Sequence, residues 1–222
     1  MNIQISSITK KYGKKQVLKD INLFMTGGEC VGILGANGCG KSTLLSILAG
    51  IQKPDSGAFI SDGVDLFSSS KIISYAVGYV PQGTPLIEEL SAKDNLRMWY
   101  TEKDLEKELN SGFLRLLGIH DFINVPVRKM SGGMKKRLSI GCAFSRHPPI
   151  LILDEPGAAL DLPCKENIAS YLKNCKQNGA AVIIATHEAT EIEICDRHFI
   201  LKDGVLNPFK YDGDIGKLVN SL

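Results

Sequence analysis

Apolar residues along this chain repeat with two different periods, and the places where the period changes divide it into segments. Over the first sixty residues the spacing is short. Ile3, Ile5 and Ile8 lead to Tyr12-Gly13, and Val17, Leu18, Ile21, Leu23 and Phe24 lead to Thr26-Gly27-Gly28. Such runs, broken by glycine-bearing turns, predict strands joined by turns. Cys30–Leu34 is apolar but for Gly32 and predicts a short buried strand. Over residues 41–49 the period lengthens, with Leu44, Leu45 and Leu48 on one face of a helix closed by Gly50. Lys53-Pro54-Asp55-Ser56-Gly57 reads as a turn, and another strand is expected from Ala58.

The middle of the chain changes character. Glu, Lys and Leu fall at helical spacing through residues 88–99 and 102–117, which predicts a mostly helical insertion with a solvated, charged face. Three buried-strand candidates follow, at 150–153, Ala181–Ala185 and 199–201, with helical patterns between them. That alternation is the signature of a parallel sheet. No internal repeat and no low-complexity tract interrupts it.

At 222 residues the chain suits one large domain or two small ones, and that length buries roughly 70% of the unfolded surface without staples. Apolar content of 44% and charged content of 23% are those of an ordinary globular protein. A net charge of +2 is too balanced to argue for a nucleic-acid partner. Six scattered cysteines, with no CxxC pair and no histidine at ligand spacing, argue for free thiols in a reducing cytosol rather than zinc or disulfides. The N-terminus lacks the apolar stretch of a signal peptide. The longest apolar runs fall far short of the ~20 residues that span a bilayer, so any membrane part must come from another chain.

Gly35-Ala36-Asn37-Gly38-Cys39-Gly40-Lys41-Ser42-Thr43 fits GxxxxGK followed by Ser or Thr, set between a strand and a helix. Glycines there let backbone N–H groups surround phosphate oxygens. Lys41 adds charge at the β- and γ-phosphates, Ser42 offers a hydroxyl to Mg²⁺, and the helix start adds partial positive charge. A chance match in a chain of this composition is on the order of one per cent. Ile150-Leu151-Ile152-Leu153-Asp154-Glu155 supplies the complement, a buried strand ending in two carboxylates where open sheets form their ligand crevice. Asp154 suits the Mg²⁺ water shell, and Glu155 suits orienting or deprotonating an attacking water. By itself this pair also reads as a solvated acidic turn. Met130-Ser131-Gly132-Gly133-Met134 opens a third candidate, a helix N-capped by Ser131 with bare N–H groups and bearing Lys135, Lys136 and Arg137.

The phosphate loop, the SGG helix start and the LDEP strand end, in that order, resemble the nucleotide-binding domain of ABC ATPases over essentially the whole chain. The resemblance implies an α/β P-loop NTPase with a mostly parallel core sheet, an N-terminal antiparallel β subdomain and an inserted α-helical subdomain. It implies one domain over 1–222, with the helical part at 84–136, and MgATP as the bound nucleotide. Tyr12 then looks like the residue that stacks on adenine, and Gln82 like the lever that senses Mg²⁺ and the transporter subunit. Ala159-Leu160-Asp161 looks like a loop crossing a dimer interface, and His187 like the histidine that contacts the γ-phosphate. Spacing alone gives none of these four a role, and His120, His147 and His198 keep ordinary surface or core readings. The resemblance further implies a head-to-tail dimer, of two identical or two related chains. ATP on the 35–43 loop of one subunit is covered by Ser131 and Gly133 of the other.

The family's commonest signature carries Gln where Met134 stands. The SGGM form followed by basic residues resembles bacterial exporters whose separate ATPase subunit works with a six-helix membrane subunit. That implies a cytoplasmic motor, peripheral on the inner face of the cell membrane, with residues 83–99 near the groove for the membrane subunit's coupling helix. Gly157-Ala158-Ala159 departs from the usual Thr-Ser-Gly, which puts local hydrogen bonding in question. A soluble ABC ATPase of the iron–sulfur assembly kind is the alternative. A DNA-repair or ribosome-acting ABC protein ranks below it, having usually a long coiled-coil insertion or two nucleotide domains, and a phosphate-loop kinase would need an acceptor pocket and an arginine-bearing lid.

Overall fold

Two sheets and a group of helices make up the computed structural model, which describes residues 1–214 and 216. In chain order, β1 (Asn2–Tyr12) and β2 (Lys15–Thr26) form a hairpin and β3 (Cys30–Leu34) leads to α1 (Lys41–Leu48). Strands β4 (Ser56–Ser61) and β5 (Val64–Asp65) follow, then α2 (Ser70–Ala76) and β6 (Val77–Val80). The middle holds α3 (Ala92–Arg97), α4 (Glu102–Ser111), α5 (Phe113–Leu116) and α6 (Gly132–Ala143). The last third alternates β7 (Ile150–Asp154), α7 (Leu162–Gln177), β8 (Ala181–Ala185), α8 (Ala189–Glu193), β9 (Arg197–Lys202) and β10 (Val205–Phe209).

The N-terminal sheet is antiparallel in the order β2-β1-β4-β5. Its apolar positions break strict alternation twice, from Ile5 to Ile8 and from Leu18 to Ile21, yet all four side chains are buried. Register shifts explain this: Ser7 (φ 50°) and Asp20 (φ 51°) sit in left-handed backbone, and Ile8 still pairs with Ile21. Each bulge inserts a residue and returns the next isoleucine to the core face. Downstream, alternation from Ile21 and Leu23 sends Met25 inward and leaves Phe24 exposed.

The larger sheet runs β10-β9-β3-β8-β7-β6, parallel except for the β9–β10 pair. Its central strands are buried on both faces, and the pleat divides their side chains between two cores. Val31, Ile33, Ile150, Ile152 and Ile183 join α1 and the antiparallel sheet, while Leu151, Leu153, Val182 and Ile184 join α6, α7 and the middle helices. This is why these strands read as unbroken apolar runs. Phe113, Phe144 and Tyr171 stack, with the Phe113–Tyr171 centroids 3.7 Å apart, and fasten α5 to α7. Tyr100 donates to the Gly141 carbonyl (2.8 Å), tying the end of the α3 segment to α6.

Three local features differ from the periodicity. Helix α3 starts at Ala92 rather than near 88, because Ser91 caps it by accepting from the Asp94 N–H. The 102–117 pattern splits at Gly112, whose extended backbone ends α4, and the Glu108 carboxylate accepts the freed Phe113 N–H (2.7 Å). Strand β6 and helix α2 carry too few apolar repeats to register. Because the strands from β9 to β6 run parallel, the C-terminal ends of β3, β8, β7 and β6 all open on one edge of the sheet.

Candidate active site

Residues 35–43 leave β3 at that edge and wrap toward α1. Gly35 has φ 155°, and a Cβ there would stand 2.6 Å from the Leu201 carbonyl oxygen and 2.7 Å from Cys39 Sγ. Only glycine fits. Helix α1 begins with no side-chain cap on its N–H groups and no carboxylate in its first turn, so its positive end is left for an anion. Lys41 is buried and folds back into the loop, its Nζ donating to the carbonyls of Gly35 (2.6 Å) and Ala36 (3.2 Å). Asn37, Gly38 and Cys39 line a cavity of about 370 Å³ whose far wall includes Lys15, Lys19 and Lys202.

Strand β7 delivers Asp154 to the same edge, 1% exposed. Burial raises its carboxyl pKa, and the neighbouring Glu155 charge adds to that. The Ser42 hydroxyl, Lys136 and Lys41 oppose it. Its Oδ2 is buried without a hydrogen-bond partner among the described residues. An orphaned carboxylate oxygen beside a serine hydroxyl is an oxygen donor set suited to a hard divalent cation.

Glu155 follows in left-handed backbone, φ 49°, anchored by its N–H to the Ala185 carbonyl (2.8 Å). Such a conformation costs about 1–3 kcal/mol in a non-glycine residue. It aims the carboxylate between two partners. Gln82, just past β6, donates from Nε2 to Oε2 (3.1 Å), and His187, just past β8, sets Nε2 3.0 Å from Oε1. Both oxygens are held while the side chain stays 22% exposed, so solvent reaches it.

Two charged residues to which the sequence pattern gives no role are buried here. Lys136 lies inside α6, its Nζ donating to the carbonyls of Pro81 (2.9 Å), Gln82 (3.5 Å) and Asp154 (3.4 Å). Burial lowers its pKa, against the charges of Asp154, Glu191 and Glu155. Glu191, buried at α8, accepts from the Thr186 hydroxyl and the Gly157 N–H. Burial raises its pKa against those two hydrogen bonds. Glu191 thus clasps the turn after Glu155 to the segment before His187. That turn closes on backbone bonds, Ala158 N–H to Glu155 O (3.2 Å) and Leu160 N–H to Gly157 O (3.2 Å), so it makes these closures without the missing Thr-Ser side chains.

The remaining sequence candidates stand apart from this cluster. Ser131 caps α6 by accepting from the Met134 N–H (3.3 Å) and is exposed. Gly133 lies beside the Ala159 carbonyl, where a Cβ would approach to 3.0 Å, so the SGGM tip adjoins the 159–161 loop of its own chain. Tyr12 is 47% exposed at the end of β1, its hydroxyl donating to Gln52 Oε1. Thr43 is half-buried on α1. His147 and His198 bond Tyr171 and the Ile192 carbonyl, and His120 meets Asp121, all outside the cluster. Beyond Gln82 opens a largely apolar groove of about 780 Å³ lined by Tyr75, Tyr79, Pro81, Leu86, Met98 and Trp99. All six cysteines are free thiols, and among the described residues no helix is long and apolar enough to cross a membrane.

A family profile described as ABC transporter matches residues 18–158. The linearmycin resistance ATP-binding protein LnrL of Bacillus subtilis is 33% identical over 91% of this chain and 67% of its own length. The Nod factor export ATP-binding protein I of Sinorhizobium fredii is 33% identical over 91% of this chain and 60% of its own. A probable sulfate/thiosulfate import ATP-binding protein CysA of Chlorella vulgaris is 32% identical, over 92% of this chain and 89% of its own. The chain therefore spans 60% to 67% of the length of the first two relatives. Among solved structures, the dimeric post-hydrolysis state of the ATP-binding cassette MJ0796 bound to ADP and Pi superposes with a TM-score of 0.85. It is 30% identical, covering 96% of this chain and all of that one. A further structure, of an ATP-binding subunit of an ABC transporter, gives 0.86 at 28% identity over 99% of this chain and 94% of that one.

Proposed function

The chain belongs to the ABC transporter family, as one of its ATP-binding domains, and from that premise we propose that it hydrolyses MgATP at a head-to-tail dimer interface to drive export through a separate membrane subunit. The observation that carries this is the grip on Glu155, both of whose oxygens are held by side chains from two other strand ends beside the phosphate loop.

In this reading the triphosphate lies on residues 35–43, where backbone N–H groups and the start of α1 meet its oxygens. Lys41 exchanges its loop carbonyls for the β- and γ-phosphates, and Tyr12, steadied by Gln52, stacks on the adenine. Ser42 and Asp154 would hold Mg²⁺, with Gln82 at the rim, and the ion supplies neutralisation of phosphate charge. Glu155 takes the proton of a water whose oxygen attacks the γ-phosphorus as the bond to the bridging oxygen breaks, leaving ADP and phosphate. A positioned base of this kind is worth about 10²–10⁴ in rate. His187 fixes the base and reaches the γ-phosphate.

Ser131 and Gly133 of a second copy, or of a related ATPase chain, cover the γ-phosphate with the N–H groups of α6. Losing that phosphate removes the anion both helix starts share, so hydrolysis opens the dimer. The apolar groove beyond Gln82 receives the membrane subunit, keeping the chain peripheral on the inner face of the membrane. Residues 84–136 form the helical subdomain of a single domain that carries that groove's outer wall. Export is favoured by SGGM with its basic residues and by the export relatives, although an importer subunit is similar as well.

Replacing Glu155 by Gln tests the assignment. The variant should bind ATP, lose turnover by roughly the 10²–10⁴ of a general base, and run as an ATP-dependent dimer on size exclusion. Hydrolysis at the wild-type rate would remove Glu155 from its role.

A further inference from the structure

Lys136 takes no part in the mechanism above, yet it is among the most buried charges in the chain, 3% exposed. Its Nζ makes no ion pair among the described residues. Its charge is met by three main-chain oxygens, of Pro81, Gln82 and Asp154. Burying an ammonium is costly unless its donors are satisfied, so this arrangement fixes the positions of all four groups relative to one another. Each carbonyl belongs to a segment carrying a side chain of the site. Pro81 and Gln82 set where the Gln82 amide meets Glu155, and Asp154 directly precedes Glu155.

Lys136 also rides on α6, whose N-cap is Ser131, hydrogen-bonded along 12 residues. One rigid element therefore joins the SGGM tip to the backbone beneath the Gln82–Glu155 pair. We infer that Lys136 is a positioning residue that couples the two ATP sites of the dimer: seating of the SGGM tip on the partner's nucleotide sets, through the Lys136 ammonium, the Gln82 and Glu155 geometry of the chain's own site. This rests on the head-to-tail reading above. Two features follow from the chemistry. The link needs a cation or several N–H donors at the end of a long side chain, and it acts on turnover and cooperativity rather than on the nucleotide's grip by the 35–43 loop.

The test compares the full-length wild type with Lys136→Met, Lys136→Leu and Lys136→Arg. The measurements are hydrolysis rate against ATP concentration, affinity for a fluorescent ATP analogue at protein concentrations too low for dimers, and thermal unfolding. Lys136→Met, of similar length but without donors, should lose about tenfold in kcat, within the cost of a mispositioned catalytic group. Its Hill coefficient should fall from near the two-site limit of about 2 toward 1. Analogue affinity should stay within about threefold, since binding energy and positioning are separable in kcat and KM. Lys136→Arg should recover much of both kcat and cooperativity. A Lys136→Met protein with wild-type kcat and Hill coefficient overturns the inference, as does a loss of analogue affinity parallel to kcat, or a wild type without cooperativity. Should Lys136→Met fail to fold, the equally donor-free Lys136→Leu decides on the same terms, retained cooperativity counting against the coupling and lost cooperativity for it. A wild type that neither hydrolyses ATP nor yields the Glu155→Gln dimer defeats the proposed function itself. A cooperative wild type with an unaltered Lys136→Met defeats the coupling alone.

Discussion

A single methyl group at Gly35 should disable the phosphate loop, while the same methyl three residues on should be tolerated. At Gly35 the backbone has φ 155°, and a new Cβ would sit 2.6 Å from the Leu201 carbonyl oxygen. That carbonyl cannot retreat, because β9 is held by β3 on one side and β10 on the other. The second clash, with Cys39 Sγ at 2.7 Å, can be relieved by rotating the thiol. Backbone strain of about 1–3 kcal/mol and overpacking of about 1–3 kcal/mol together give roughly 2–6 kcal/mol. At ~2–4 °C per kcal/mol for a domain this size, the melting temperature should fall by roughly 4–24 °C. The shift also deforms the 35–43 loop whose backbone N–H groups meet the phosphate oxygens, so nucleotide affinity should collapse. Gly38 also has a positive φ, 76°, but no atom of the described residues lies within 4 Å of its added Cβ. Gly38→Ala should therefore cost only the left-handed strain of about 1–2 kcal/mol. Thermal unfolding and fluorescent-nucleotide titration of both variants read this out. Equal destabilisation by the two substitutions, or a Gly35→Ala protein melting like the wild type, would refute the steric argument.

Further outcomes follow from the site. Burial raises the carboxyl pKa of Glu191, so the folded state binds more protons than the unfolded one above the ordinary carboxylate range. Stability from this group is complete at low pH and is lost as pH rises through the raised pKa. Urea midpoints across pH should therefore fall less steeply for Glu191→Gln than for the wild type, and parallel curves would contradict the assignment. Cys39, half-buried in the loop, should be alkylated more slowly with MgATP present, measured on its peptide by mass spectrometry; equal labelling would end that idea. Trp99→Glu, in the groove beyond Gln82, should leave ATP hydrolysis by the free chain unchanged and abolish co-purification with detergent-solubilised membrane protein. Undiminished co-purification would move the docking surface elsewhere.

The parts of this molecule legible in sequence are those whose chemistry is contiguous. The 35–43 loop and the 150–155 strand end carry their ligands in unbroken runs, and the double-sided burial of β7 and β8 writes itself as unbroken apolar stretches. Strand β6 is illegible because it has four residues and a glycine at its centre. Gly78 is there because a Cβ would meet Pro148 Cγ at 2.5 Å and the Ala143 carbonyl at 2.7 Å. Tyr12, Gln82, the 159–161 loop and His187 carry no local signal, since each matters through a group distant in sequence; only family resemblance points to them. Lys136 and Glu191 are hidden for a different reason. A charge on a helix reads as solvated, and their one clue is spacing. Lys136 shares its face with the buried Ile140 and Phe144, and Glu191 shares one with the buried Cys195.

The central claim is that two chains clamp one triphosphate between the glycine loop of the first and the serine–glycine helix start of the second. A crystal structure of the Glu155→Gln protein with MgATP addresses it directly. The account predicts nucleotide on residues 35–43 with the γ-phosphate facing Ser131 and Gly133 of a neighbouring copy related by a two-fold axis. Nucleotide bound there with every SGGM tip turned to solvent would contradict it.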